Sequence, residues 1–367
     1  VTDAAARDDR LARLRVAMAD ARVALIAIAP TDNLRWLTGF APLYDERTCL
    51  LLASAGGEAM VTPSLNAEQT AAALPELELV RWGDEDGPDT ALRDALAHVA
   101  PGPGAVAADP EMRADHLLAL QRATAGRATI DAAALLGPLR EVKDGSELAL
   151  LAASARIADL AVGAAWAACA AGVSERQVAE AVGRVFRDHG CEPEFAVVAA
   201  GAHGAFPHHH TGTGELAAGD AVVIDVGAIR DGYHSDITRM AFLGEPTARY
   251  HEVHAAVESA VVAALAATRP GATCGEVDAA ARGAIDAAGY GEFFVHRTGH
   301  GLGLSGHEGP YVMDGSDVVL AAGMVHSIEP GIYLPGEFGV RLEEIVHVTG
   351  DGCAPFSGLP RDVHVVT

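Results

Sequence analysis

The stretch HRTGHGLGLSGHEGPY, His296–Tyr311, sets three imidazoles in a glycine-rich run with little apolar material for a core. Such histidines either face solvent in a loop or converge on something that needs nitrogen ligands and proton carriers. A second stretch, VVIDVGAIRDGYHSDITR (Val222–Arg239), reads as strand, Asp-Gly turn, strand. A two-residue turn at Asp231–Gly232 pairs Arg230 with Tyr233. Counting outward from that pair sets Asp225 and Asp236 on one face as a diagonal pair. Two carboxylates that close repel unless a cation lies between them. Asp225 also interrupts a run of Val and Ile, where an unpaired charge is costly. The alternative is that both acids cap turns or pair with Arg239.

Two further acids join them. Glu329, in SIEPGIY, follows an apolar strand and precedes a Pro-Gly turn. In GVRLEEIVHVT, period-2 alternation puts Val340, Leu342, Glu344 and Val346 on one face and Arg341, Glu343 and Ile345 on the other. Read singly, each of these acids is a solvated strand residue. Together with His300 they form an oxygen-rich set with one borderline nitrogen, which suits two divalent cations of the manganese, cobalt or zinc type. Two such ions can share a water, lower its pKa and clamp a reacting carbonyl.

The elements that must position these residues fall into two textures. The first third alternates helix and strand signals, as in an α/β layer: helices at Asp8–Ala21 and Ala114–Thr124, strands at Val23–Ala29, Cys49–Ala53, Leu77–Arg81 and Ala105–Ala108. Gly102–Gly104 and Gly137–Pro138 punctuate it. Ser146 then reads as the N-cap of a long Ala-rich helix ending near Ala171. A second helix spans Ser174–His189, and further helices are expected at Thr247–Ala267 and Gly275–Ala288 among strand pairs. Residues 1–138 are therefore expected to form an α/β domain, and residues 139–367 an α+β domain.

The motifs IDVGA and SDITR, HRTGHGLGL with HEGPY, IEPGIY and GVRLEEIV stand in the order found in the pita-bread metallopeptidases. The chain resembles that family, which includes methionine aminopeptidase, aminopeptidase P and prolidase. The likeness covers about residues 140–367. Through NLRWLTGF (Asn33–Phe40) and REVKDGSELALLAASARIAD (Arg140–Asp159) it extends to the two-domain Xaa-Pro subgroup. It implies a C-terminal pita-bread (creatinase/aminopeptidase-like) catalytic domain behind a smaller creatinase-N-like α/β domain. It implies that Asp225 chelates one metal, that Asp236 and Glu343 bridge both, and that His300 and Glu329 complete the second. Glu329 would also shuttle the proton. His208 would lie on the substrate side, His307 would hold the carbonyl or tetrahedral intermediate, and Arg341 would orient Glu343 or neighbouring acids. The implied activity is cleavage of the Xaa-Pro bond of dipeptides or short peptides by a metal-bridging hydroxide. Two divalent ions per chain are implied, manganese first with cobalt or zinc as alternatives. A homodimer is expected, its N-terminal domains shaping the substrate cleft.

Some positions depart from the family pattern. His203 stands near a common Asn, and Gly306 and Gly309 stand where bulkier residues are frequent, which implies a roomier or more mobile wall beside His307. His296 reads as structural or as support for the site. His209 and His210 are either loop decoration or pocket wall. Arg47 reads as a surface ion-pair residue, with a substrate carboxylate as the alternative. Rival readings are hydrolysis of a non-peptide C–N bond and a catalytically silent binding module.

Composition narrows the classes. Lys and Arg number 26 against 50 Asp and Glu, a formal charge of −24, which argues against nucleic acid as a partner. No apolar run reaches a membrane span of about 18 residues, and the N-terminus carries no apolar h-region. The five cysteines are scattered and odd in number, so they are expected to be reduced. A cytoplasmic protein is the expectation.

Overall fold

The structure is a computed structural model that describes residues 4–367. It divides into two compact units, residues 1–140 and 141–367.

The first unit contains helices α1 (Ala4–Asp20), α2 (Asp32–Thr38), α3 (Ser64–Ala73), α4 (Asp89–Val99), α5 (Ala114–Ala123) and α6 (Ala133–Glu141). Its strands are β1 (Val23–Ile28), β2 (Leu50–Ala53), β3 (Glu58–Pro63), β4 (Glu78–Trp82), β5 (Ala105–Ala108) and β6 (Thr129–Asp131). They form one sheet in the order β4-β3-β2-β1-β5-β6. The sheet is mixed: β2 is antiparallel to β1 and β3, while β5 runs parallel to β1 and β6. Strand β1, VALIAI, is apolar throughout because it is central and covered on both faces. The division between the units lies close to the Gly137–Pro138 pair. Helix α6 runs through Pro138 to Glu141, and the division falls after Arg140.

The second unit holds helices α7 (Gly145–Ala168), α8 (Glu175–Asp188), α9 (Ala248–Ala267) and α10 (Cys274–Ala287). The N-cap of α7 is Asp144, not Ser146. Its carboxylate accepts from the Ser146 and Glu147 amides while Glu147 reaches back to the Asp144 amide, a complete capping box. Helix α7 is the one described helix long and apolar enough to cross a membrane, in contrast to the reading of the sequence. Its stripe of Leu151, Ile157, Ala158, Ala161, Val162 and Ala165 is buried within this unit, as in the core helix of a globular domain. Ser174 and Thr273 cap α8 and α10 with the same box.

Strands β7 (Glu192–Ala200), β8 (Ala221–Arg230), β9 (Tyr233–Leu243) and β17 (His364–Val366) form a sheet in the order β17-β9-β8-β7. Strands β10 (Gly299–Gly301), β11 (Glu308–Val312), β12 (Val325–Ile328), β15 (Glu344–Val348) and β16 (Cys353–Pro355) form a second, ordered β11-β10-β12-β15-β16. Strands β13 (Gly331–Leu334) and β14 (Phe338–Arg341) pair separately. Residue parity on β8 and β9 sorts two cores. Val222, Ile224, Val226, Ile237 and Ala241 pack with α7 and α8. Val223, Met240 and Phe242 pack with α9, α10 and the second sheet. Asp225 and Asp236 share the parity of the second group, so the hairpin turns both acids toward the interior between the sheets.

Candidate active site

The hairpin register places Arg230 opposite Tyr233, Asp225 opposite Thr238 and Gly227 opposite Asp236. The two aspartates are therefore a diagonal pair in mid-strand, and neither caps a turn. Arg239 has the opposite parity. Its buried guanidinium meets Glu344 at 2.8 Å and the Leu359 and Pro360 carbonyls at 3.0 Å, so it does not neutralise either aspartate. Glu343 lies in the short break between β14 and β15. Strict alternation fails there, and both Glu343 and Glu344 are buried instead of solvated.

The five expected ligands converge. Ligand atoms of Asp225, Asp236 and Glu343 lie within 4.8 Å of one another, and so do those of His300, Glu329 and Glu343. Glu343 belongs to both groups. His300 Nε2 stands 3.2 Å from Glu329 and 3.8 Å from Asp236. The His300 Nδ1 faces the Gly301 carbonyl at 3.0 Å, which orients the ring with Nε2 toward the acids. Ser327 Oγ accepts the His300 amide and donates to Glu329, tying β10 to β12. The glycines permit this approach: a Cβ at Gly299 would collide with the Ser327 carbonyl, and one at Gly301 with the Gly309 carbonyl.

The electrostatics are those of a site built for positive charge. Burial, then the charges of Glu343, Asp225 and Glu329, push the Asp236 carboxyl well above the usual range. Burial, with Glu329 and Asp225, does the same to Glu343. At Glu329 burial also acts upward, but the hydrogen bond and charge of His300 outweigh it and hold the carboxyl at about 2. Asp225 Oδ1 and Glu343 Oε1 are buried without a hydrogen-bond partner in the protein. Buried carboxylate oxygens without partners are costly, and the donor set of four carboxylates and one imidazole fits two hard-to-borderline divalent cations.

The residues around the cluster line a cavity of about 690 Å³. His208 lies on its wall, and so do His209 and His210. His307 packs on His300 with ring centroids 3.8 Å apart, and burial, then the charges of His300 and Arg297, lower it to about 4. Arg341 bonds Asp225 at 2.6 Å rather than Glu343, to which it is linked through Thr238: Arg341 Nε donates to Thr238 Oγ1, which donates to Glu343 at 2.9 Å. His296 Nε2 is 2.8 Å from the Tyr333 hydroxyl, which accepts from Arg341 at 2.9 Å. Tyr333, Thr238 and Ser327 are supporting residues that motif reading passed over. His203 and His209 stack on each other and both bond the buried Glu175. Neighbouring side chains stand close beside both Gly306 and Gly309. A Cβ at Gly306 would press on His234 at 3.2 Å, and one at Gly309 would strike Glu141. In the first unit, Arg47 is engaged by Asp84, Asp45 and Glu46.

The model of metallopeptidase family M24 matches residues 149–350, and that of the creatinase/prolidase N-terminal domain matches residues 10–142. The chain belongs to metallopeptidase family M24. A probable dipeptidase, PepE, of Mycobacterium tuberculosis is 40% identical over 97% of this chain and 96% of its own. An Xaa-Pro dipeptidase of Lactobacillus delbrueckii subsp. lactis is 33% identical over 92% and 94%. The crystal structure of dipeptidase PepE from Mycobacterium ulcerans superposes with a TM-score of 0.94 at 37% identity, covering 99% of both chains. The fold of this M24 member is thus a creatinase-type N-terminal domain joined to a pita-bread catalytic domain, and the protein is a metallopeptidase.

Proposed function

We propose that this M24 metallopeptidase cleaves the Xaa-Pro bond of dipeptides and short peptides with two divalent cations, manganese first among them. The observation that carries the reading is the pair of overlapping ligand groups sharing Glu343, with unpartnered carboxylate oxygens on Asp225 and Glu343. Asp225, Asp236, His300, Glu329 and Glu343 would hold the cations, which supply Lewis-acid activation of a water and of the scissile carbonyl. Likeness to proteins named Xaa-Pro dipeptidase supports the bond cleaved.

This chain's residues then have the following work. Glu329 takes the proton of the attacking water as oxygen adds to the carbonyl carbon, and delivers it to the prolyl nitrogen as the C–N bond breaks. His307 donates a hydrogen bond to the oxygen that gains negative charge. Arg341 fixes Asp225 and, through Thr238, Glu343. His208 bounds the substrate side. A prolyl nitrogen lacks an N–H, so the leaving group suits a site that asks for none.

The reading extends to a cytoplasmic homodimer whose N-terminal domains shape the cleft. The five cysteines are free, as is usual for a protein of a reducing compartment. The test is hydrolysis of Ala-Pro and Ala-Pro-Ala before and after chelation, with manganese restored. Turnover that requires the metal is expected, with close to two ions bound per chain. Turnover of neither peptide, or turnover indifferent to chelation, would reject the reading.

A further inference from the structure

His208 sits in an irregular stretch between β7 and β8, yet it holds a place on the cavity wall. Loops of this kind are mobile unless they are tied down. The tie here is Glu175, in the first turn of α8, a side chain with no solvent exposure. Its Oε1 accepts from the Ala200 amide at 3.1 Å and from His203 Nδ1 at 2.8 Å. Its Oε2 accepts from His209 Nε2 at 2.9 Å and from the Gly212 amide at 3.1 Å. His203 and Gly212 stand on either side of His208 in the chain, and His209 is its neighbour. The two imidazoles stack with centroids 4.6 Å apart. On its other side the segment leans on β14. Gly204 and Gly339 lie so close that a Cβ on either would press on the other's backbone, and Arg341 Nη1 faces the Pro207 carbonyl at 3.4 Å. Burial acts upward on Glu175, but the bonds from His209, His203 and the two amides outweigh it and hold the carboxyl below its ordinary range. One charged group thus grips the stretch that carries His208 from both directions, with charge-assisted bonds.

We infer that Glu175, acting through His203 and His209, is the positioning residue for His208 and so sets how tightly the cavity holds its peptide. A side chain that bounds a substrate must keep its place to within about 0.5 Å, which irregular backbone alone does not provide. A buried carboxylate with both oxygens doubly engaged meets that need, because losing a donor leaves buried charge underpaired. A Glu175 that served only to join α8 to β7 would need the Ala200 amide and neither histidine. His203 is half-exposed and stands outside the cavity wall, so a change there reaches the substrate only through the clamp. The inference rests on the Xaa-Pro reading for the substrate and for the side on which His208 meets it, while the clamp is geometry alone.

The experiment uses the full-length, metal-loaded protein with Ala-Pro as substrate. Kinetics are measured for the wild type, Glu175→Gln, His203→Ala, His203→Asn, His208→Ala and the double variant of His203→Ala with His208→Ala. His203→Ala should raise KM about 3- to 10-fold and Glu175→Gln about 10- to 100-fold, the ranges for one hydrogen bond and for a charged group that loses several. In both, kcat should change little and metal content should stay at the wild-type level. His203→Asn keeps an N–H donor and should recover part of the loss. In the His208→Ala background His203→Ala should add nothing to KM, because the residue it positions is gone. Amide exchange across residues 201–212 should quicken in His203→Ala. A wild-type KM in His203→Ala, the same fold-rise with and without His208, or unchanged exchange overturns the inference, whether or not Glu175→Gln folds. If the wild type cleaves no Xaa-Pro bond, the substrate reading falls and the exchange comparison alone decides the clamp.

Discussion

Glu329 and His307 act at the same cavity through opposite chemistry, one moving a proton and the other stabilising charge. Replacing Glu329 with Gln removes the proton carrier and one ligand together, so kcat should fall by at least about 100-fold, with reduced metal occupancy by elemental analysis. His307→Ala should lower kcat by about 100- to 1,000-fold while metal content is retained, because His307 is not among the five proposed ligands. Equal metal loss in both variants would place His307 among the ligands instead. These residues were legible because their types are rare in apolar strands and their motifs stand in a fixed order. Ser327, Thr238 and Tyr333 carried a subtler signal. Each lies an even number of residues from a ligand within the same motif (Ser327 and Tyr333 about Glu329, Thr238 after Asp236), so strand parity offered a way to find them. Arg341 was legible as a supporting residue, but its partner was not, since Asp225 and Glu343 are both within a long guanidinium's reach.

At the level of elements, the β8–β9 hairpin does most of the positioning. Its register followed from one Asp-Gly turn, and the diagonal aspartates followed from the register. What alternation could not supply was the break between β14 and β15. There Glu343 enters the site while Glu344 joins Arg239 on the other face. That pair fastens β9 to β15 and to the segment around Leu359. Arg239→Ala leaves Glu344 with Arg361 alone at 3.2 Å and should cost about 3–5 kcal/mol, read as a lower urea midpoint. A loss under about 1 kcal/mol would mean that the pair is dispensable. Strand β12 carries a second buried group, His326, which burial lowers to about 4 from its ordinary 6.5. The unfolded chain therefore binds more protons than the folded one between those values, and stability should fall as pH drops from about 6.5 to 4, by up to about 3 kcal/mol. Urea titrations across that range check it: His326→Gln should flatten this part of the slope, and an unchanged slope would assign it elsewhere.

For the molecule as a whole, the cost of gathering four carboxylates between two sheets has a measurable counterpart. Ions that bind only the folded state stabilise it by about 2.7 kcal/mol per site at 100 times Kd. With two such sites filled, manganese should therefore raise Tm by roughly 10–20 °C for a catalytic unit of this size, and Asp225→Asn should shrink the shift in calorimetry. No shift with manganese would mean that the cluster does not take up the ion in the folded state. Residue types and local spacing by themselves determined the family, the ligand candidates, the hairpin register and most helices, because turn chemistry, capping and period-2 patterning act over a few residues. Local boundaries went astray where two signals competed, as at Asp144 against Ser146, and where a Pro sat inside α6. Tertiary structure alone decided which acid Arg341 holds, that Glu344 turns away from the site, that His209 and His210 reach the cavity, that Gly306 abuts His234, and that Glu175 gathers His203 and His209. Each of these depends on elements far apart in sequence meeting across a packed interior, and no short-range pattern encodes that meeting.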